Sequence, residues 1–129
     1  MKQEGDGIRE YFWDSYAVIE FIAGNPNFAR FVNEKVRITV FNLAEIYWMS
    51  LNEYGEKIAE EIYNKYSECV VEISGEILKE AIKFRKKVYK NKKLSYADAI
   101  GYIYSIKNSL LFLTGDKEFQ NLENVEFVK

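Results

Sequence analysis

Leu110-Leu111-Phe112-Leu113-Thr114-Gly115-Asp116 passes from four consecutive apolar residues into a hydroxyl, a glycine and an acid. The apolar part reads as a short buried strand, and the acid falls where the chain would leave the sheet. Near the N-terminus Tyr11-Phe12-Trp13-Asp14-Ser15 follows the same plan, a short apolar run that ends on Asp14. Further strands are predicted at residues 36–41, which are β-branched and short, at 69–73 and at 124–128. Between them the spacing predicts helices. Asp14-Ser15 opens one that carries Val18, Phe21 and Ile22 and stops at Gly24 and Pro26. A short one covers 26–34, a longer one 42–52, and Gly55 separates that from another over about 56–66. Ser74 caps the next, with the stripe Ile77, Leu78, Ala81, Ile82, Phe84 and Val88, and Ser95 begins the last, which reaches about residue 108. Strands alternating with helices predict an α/β domain whose largely parallel sheet is covered on both faces. Sheets of this kind bind ligands beyond the carboxyl ends of their strands, the edge to which Asp14 and Asp116 belong.

The bulk properties agree with one domain over residues 1–129. The chain is 48% hydrophobic and 16% aromatic, with ten Tyr and nine Phe, a globular composition. A single cysteine, Cys69, excludes an intrachain disulfide, and its apolar surroundings predict a buried thiol in a strand. Without a thiol pair or any histidine, the usual zinc site is improbable. No run of about eighteen apolar residues could span a membrane, and the N-terminus lacks the order of a signal peptide, so the expected location is cytoplasmic.

Four acids, Asp14, Glu45, Asp98 and Asp116, recur where a strand or loop hands over to a helix. Each has a plain structural explanation. Asp14 and Asp116 can cap the segments that follow them, while Asn42-x-x-Glu45 and Ser95-x-x-Asp98 match the capping-box spacing. Such caps contribute about 0.5–2 kcal/mol each. In this architecture, however, helix N-termini project toward one rim, so caps themselves gather carboxylates. Two carboxylates 4–5 Å apart repel by roughly 3–4 kcal/mol at an effective dielectric near 20. No Lys or Arg lies within three residues of Asp14, Glu45 or Asp98. Proton uptake or a bound cation must then relieve the repulsion. With no imidazole in the chain, oxygen ligands holding Mg²⁺ or Mn²⁺ are the leading chemistry, and phosphoryl transfer on a nucleic acid the leading reaction. There a carboxylate, Asp98 or Glu45, orients or deprotonates the attacking water, and the sequence does not choose between them.

These motifs, in order, resemble those of the PIN-domain ribonucleases, and especially the VapC-like toxins of bacteria and archaea. The resemblance covers nearly the whole chain. It is carried by Phe12-Trp13-Asp14-Ser15, by Phe41-Asn42-Leu43-Ala44-Glu45-Ile46, by Leu94-Ser95-Tyr96-Ala97-Asp98-Ala99-Ile100, and by Leu111-Phe112-Leu113-Thr114-Gly115-Asp116-Lys117-Glu118-Phe119. It implies a three-layer fold with a mostly parallel five-stranded sheet of order 3-2-1-4-5. It also implies Mg²⁺- or Mn²⁺-dependent endonucleolytic cleavage of RNA by Asp14, Glu45, Asp98 and Asp116, which would be both metal ligands and catalytic groups. Ser15 and Thr114 would be hydroxyls lining the pocket. Glu118 stands where the family has a second Asp, one methylene longer, and is peripheral. A toxin of this kind would pair with a small antitoxin protein.

Eight bases against Glu80 alone lie between residues 79 and 93. Lys79, Lys83, Lys86 and Lys90 fall opposite the apolar stripe and read as a solvated face. Lys90, Lys92 and Lys93, nearest the loop, are the candidate RNA contacts. Tyr47-Trp48-Met49, Tyr102 and Tyr104 suit a core or homodimer face better than base stacking. The competing reading is a PIN-like scaffold without activity, its acids serving only as caps and its apolar surface binding a partner. A phospho-acceptor signalling domain is disfavoured, because the third strand ends in Ile73-Ser74 with no acceptor Asp.

Overall fold

Three short strands lie side by side and parallel, β1 (Tyr11–Trp13), β2 (Leu111–Thr114) and β3 (Val125–Phe127), in the order β1–β2–β3. The computed structural model describes residues 9–129. Tyr11 pairs with Leu111, Phe12 with Phe112 and Trp13 with Leu113. Successive side chains of a strand point to opposite faces, and that alternation divides the interior in two. Tyr11, Trp13 and Leu113 enter one cluster, with Ala17 and Val18 of α1 (Ser15–Ile22), Leu43 and Ile46 of α2 (Val40–Tyr54) and Tyr66 of α3 (Glu56–Ser67). Phe12 and Phe112 enter the other, with Ala81 of α4 (Gly75–Val88) and Ile100, Tyr102 and Ile103 of α5 (Tyr96–Lys107). Helices therefore cover both faces of a parallel sheet. A 3-10 segment, Pro26–Phe31, follows α1 where a short helix was expected.

Most helix ends follow the expected chemistry. Ser74 Oγ accepts from the Ile77 amide, and Ser95 and Asp98 exchange the two bonds of a capping box. Gly24 and Gly55 adopt φ +85° and +86° at their breaks, a region that L side chains rarely enter.

The expected second strand, residues 36–41, does not form. Thr39 rather than Asn42 caps α2, because the Asn42 side chain accepts from both the Thr39 amide (2.9 Å) and its hydroxyl (2.8 Å). The chain is thereby turned into a helix at Val40, and its β-branched run is cut short. What remains bonds to the open side of β1 through Arg37 O, which accepts from the Trp13 amide at 2.9 Å. Ile38 then forms a single parallel bridge with Val70. Among the described residues the sheet thus has three strands instead of five, with these two segments extending its hydrogen bonding past β1. Cys69 likewise departs from expectation. It sits half-buried in the turn after α3, and burial raises its thiol pKa.

Lys79, Lys83, Lys86 and Lys90 are exposed, as a solvated face requires. Tyr102 is buried, donating its hydroxyl to Glu123 O at 2.8 Å. No helix among the described residues is long and apolar enough to cross a membrane.

Candidate active site

Parallel pairing sends the C-terminal ends of β1 and β2 to the same edge, and an acid follows each strand within two residues. Asp14 directly follows β1, and Gly115-Asp116 follows β2. The N-terminal turns of α2 and α5 reach the same edge and bring Glu45 and Asp98. All four acids line one open cleft of about 820 Å³, together with Ser15 and Glu118. Glu118 therefore contributes to the wall, although sequence reading set it at the periphery.

The cap and site readings turn out to be compatible. Asp14 Oδ1 accepts from the Ala17 amide at 2.8 Å, Asp98 Oδ2 from the Ser95 amide at 3.0 Å, and Asp116 Oδ1 from the Glu118 amide at 3.0 Å. Each bond fixes a carboxylate against the rim without using all its lone pairs. Glu45 is the exception. Because Thr39 holds the cap of α2, Glu45 is not part of a capping box, and it accepts a short hydrogen bond from Ser15 Oγ. Ser15 Oγ in turn accepts from Asn42 Nδ2 at 3.0 Å. The buried Asn42 thus ties the starts of α1 and α2 together and orients the hydroxyl that holds Glu45.

Thr114 does not line the cleft. It is fully buried beneath it, donating its hydroxyl to Asp14 Oδ2 while its Oγ1 accepts from the Asp116 amide at 3.0 Å. One side chain thereby links two of the acids from below. Asp14 is 4% exposed, and this burial pushes its carboxyl up to about 7. The bonds from Thr114 and Ala17 oppose that rise, while the negative charges of Asp98 and Asp116 add to it. Burial also raises Asp98, with Asp116 and Glu45 contributing in the same direction. None of the ion pairs among the described residues involves the four acids. Lys129, which also lines the cleft, has its Nζ directed to Gly115 O at 3.4 Å.

Oxygen-only donors carrying several negative charges fit a hard divalent ion. As the side chains are placed, no three His, Cys, Asp or Glu among the described residues form a group able to hold one. The donor type fits, and the convergence is incomplete.

Sequence reading missed Asn42 as the organiser of Ser15, Lys129, and Trp48 as a cleft residue. Trp48 lies on α2 one turn beyond Glu45, lines the cleft and is 69% exposed. Of the three candidate RNA contacts, Lys92 is engaged inward, donating Nζ to Glu118 O at 2.8 Å. Lys90 and Lys93 are exposed on the adjoining loop.

No protein-family model matches the sequence, and no curated protein matches it either. Solved structures do match in fold. VapC20 of Mycobacterium tuberculosis, a sarcin–ricin loop cleaving toxin, superposes with a TM-score of 0.73 at 16% identity, over 93% of this chain and 100% of that one. A toxin–antitoxin complex from Klebsiella pneumoniae gives 0.71 at 16% identity, over 91% and 96%. VapBC2 of Rickettsia felis, bound to a DNA fragment from its promoter, gives 0.70 at 12%, over 93% and 99%. The parallel sheet covered by helices on both faces is accordingly the α/β, PIN-like fold of these toxin structures.

Proposed function

We propose that this protein is a metal-dependent endoribonuclease, hydrolysing RNA phosphodiester bonds at the cleft lined by Asp14, Glu45, Asp98 and Asp116. The observation that carries this reading is the gathering of four carboxylates at one sheet edge, none of them in an ion pair among the described residues, with Asp14 pushed up to about 7. The four acids would be the ligands of Mg²⁺ or Mn²⁺. When bound, such an ion supplies Lewis acidity toward a phosphate and acidifies water. The chain's own contribution is positioning. Thr114 and the cap amides hold Asp14, Asp98 and Asp116 in place, and Asn42 through Ser15 holds Glu45. Glu45, outside any capping box, is the better placed of the two acids to orient an attacking water or take its proton. Glu118 borders the cleft and shapes its mouth.

By the same reading the protein is the toxin of a toxin–antitoxin pair or a related RNA-processing nuclease, acting in the cytoplasm and assembling as a homodimer or higher oligomer. The neighbour titled as a toxin–antitoxin complex supports a protein partner, which by this reading would be small and would cover the cleft. The decisive assay incubates purified protein with single-stranded RNA and Mn²⁺, beside Asp98→Asn and an EDTA control. Cleavage that both changes abolish is the expected result. Cleavage that survives the mutation would remove this cleft from the mechanism.

One observation favours a second reading. Three of the acids are engaged as caps, and no three of them converge on an ion. An inactive PIN-like scaffold would look like this, with exposed Trp48 and Phe41 available to a protein partner.

A further inference from the structure

Five acids against Lys117 and Lys129 line the cleft, so much of the affinity for a phosphate backbone must come from outside it. The α4–α5 junction carries a surface suited to that task. Arg85 donates Nε to Leu94 O at 2.7 Å, which fixes its guanidinium against two tyrosines. Its Cζ stands 4.5 Å from the Tyr96 ring centroid and 5.4 Å from that of Tyr89, and Lys93 Nζ lies 4.2 Å from the Tyr89 centroid. Both rings remain open to solvent, Tyr89 at 46% and Tyr96 at 59%. With Ile82, Lys86 and Lys90 they line a recess of about 360 Å³ that contains no acid. Tyr96 is the first residue of α5, and its neighbours Ser95 and Asp98 line the acidic cleft. One peptide bond, Ser95–Tyr96, thus separates a residue that lines the cleft from one that lines the recess.

We infer that Arg85, Tyr89 and Tyr96 form a stacking platform for an unpaired base of single-stranded RNA, with Lys86, Lys90 and Lys93 meeting the phosphates on either side. Exposed aromatic faces beside a fixed guanidinium match the π-face that every base presents, and the surrounding lysines match its backbone. An acidic protein segment would use the lysines and leave the rings idle, which is why RNA is the better occupant. The choice of nucleic acid rests on the ribonuclease reading, and the platform extends that reading from the cutting site to how substrate is held.

The test is binding of an unstructured, fluorescently labelled RNA of about ten nucleotides, followed by anisotropy in EDTA so that nothing is cleaved. Tyr96→Ala is expected to weaken binding about tenfold, and Tyr96→Phe to keep it within about twofold. Lys90→Ala with Lys93→Ala should lower the slope of log affinity against log salt by roughly one to two. An RNA carrying abasic positions should bind the wild type and Tyr96→Ala alike. A folded Tyr96→Ala that binds ordinary RNA as tightly as the wild type overturns the platform, and so does a wild type that binds no RNA. If Tyr96→Ala fails to fold, photo-crosslinking of 5-bromouridine RNA to the wild type decides instead. Adducts on Tyr96 or Tyr89 support the platform, and adducts confined to other residues refute it. Mn²⁺-dependent cleavage persisting alongside a failed platform would leave the nuclease reading intact. Stacking without cleavage would do the reverse.

Discussion

Asp14 concentrates the chemistry of the molecule in one side chain. It caps α1, receives the Thr114 hydroxyl and faces the charges of Asp98 and Asp116, all while buried. Burial outweighs the hydrogen bonds, so its folded pKa of about 7 stands above the ordinary 3.8 of an aspartate. The folded protein then holds a proton that the unfolded chain releases between these values. Linkage gives the sign: the contribution of this carboxyl to stability is fully present below about pH 4, declines as pH rises toward 7 and is lost beyond it. The decline from this one group is on the order of a few kcal/mol. Denaturant titrations in EDTA should therefore show the wild type losing stability from pH 5 to pH 8, and Asp14→Asn losing much less. An equal slope in both proteins would mean that the carboxyl is not strained by its surroundings.

At the scale of elements, α5 depends on a close approach that only a glycine permits. A Cβ on Gly101 would stand 2.6 Å from Phe12 Cε1 and 3.2 Å from Phe112 Cε1, both on fully buried rings of the sheet. Both rings are packed in the core, so Gly101→Ala should destabilise the protein by about 1–3 kcal/mol despite the better helix propensity of alanine. A lowered denaturation midpoint with an unchanged slope would show it, and a stability gain would show that α5 rides higher on the sheet. Nothing in the local sequence signals this contact, because it depends on how α5 registers against β1 and β2. The acids were legible for the opposite reason. Asp14, Asp98 and Asp116 each belong to a helix start whose cap chemistry can be read within a few residues, and parallel topology carries those starts to one edge. Where two local preferences competed, reading failed. Val36 and Val40 favour a strand, but the Asn42 side chain satisfies both donors of Thr39 and awards the segment to α2. That same contest released Glu45 from the cap assigned to it. Trp48 and Lys129 join the cleft only through tertiary placement, so their sequence neighbours could not announce them.

Across the described residues, charge is unevenly spread: five acids meet at the sheet edge beside Lys117 and Lys129, with none of the four candidate ligands in an ion pair, while lysines cover the exposed side of α4 and its following loop. Gathering these acids costs stability, and a ligand that binds only the folded state returns it in proportion to the logarithm of its concentration. Divalent metal is thus expected to stabilise the protein, and protons to compete with it for Asp14. At a metal concentration a hundredfold above the dissociation constant, stabilisation is about 2.7 kcal/mol. For a domain of this size that is a rise in Tm on the order of 10 °C. The rise should be larger at pH 8 than at pH 5, where Asp14 is protonated, and Asp98→Asn should lose most of it. Mn²⁺ melting curves at the two pH values, with Asp98→Asn alongside, separate the two readings of the cleft. A metal-independent Tm would identify the acids as helix caps alone and favour the scaffold. A rise equal in both proteins would locate the ion elsewhere. A pH-dependent rise that the substitution removes requires the carboxylates to act together, the condition that the nuclease reading cannot do without.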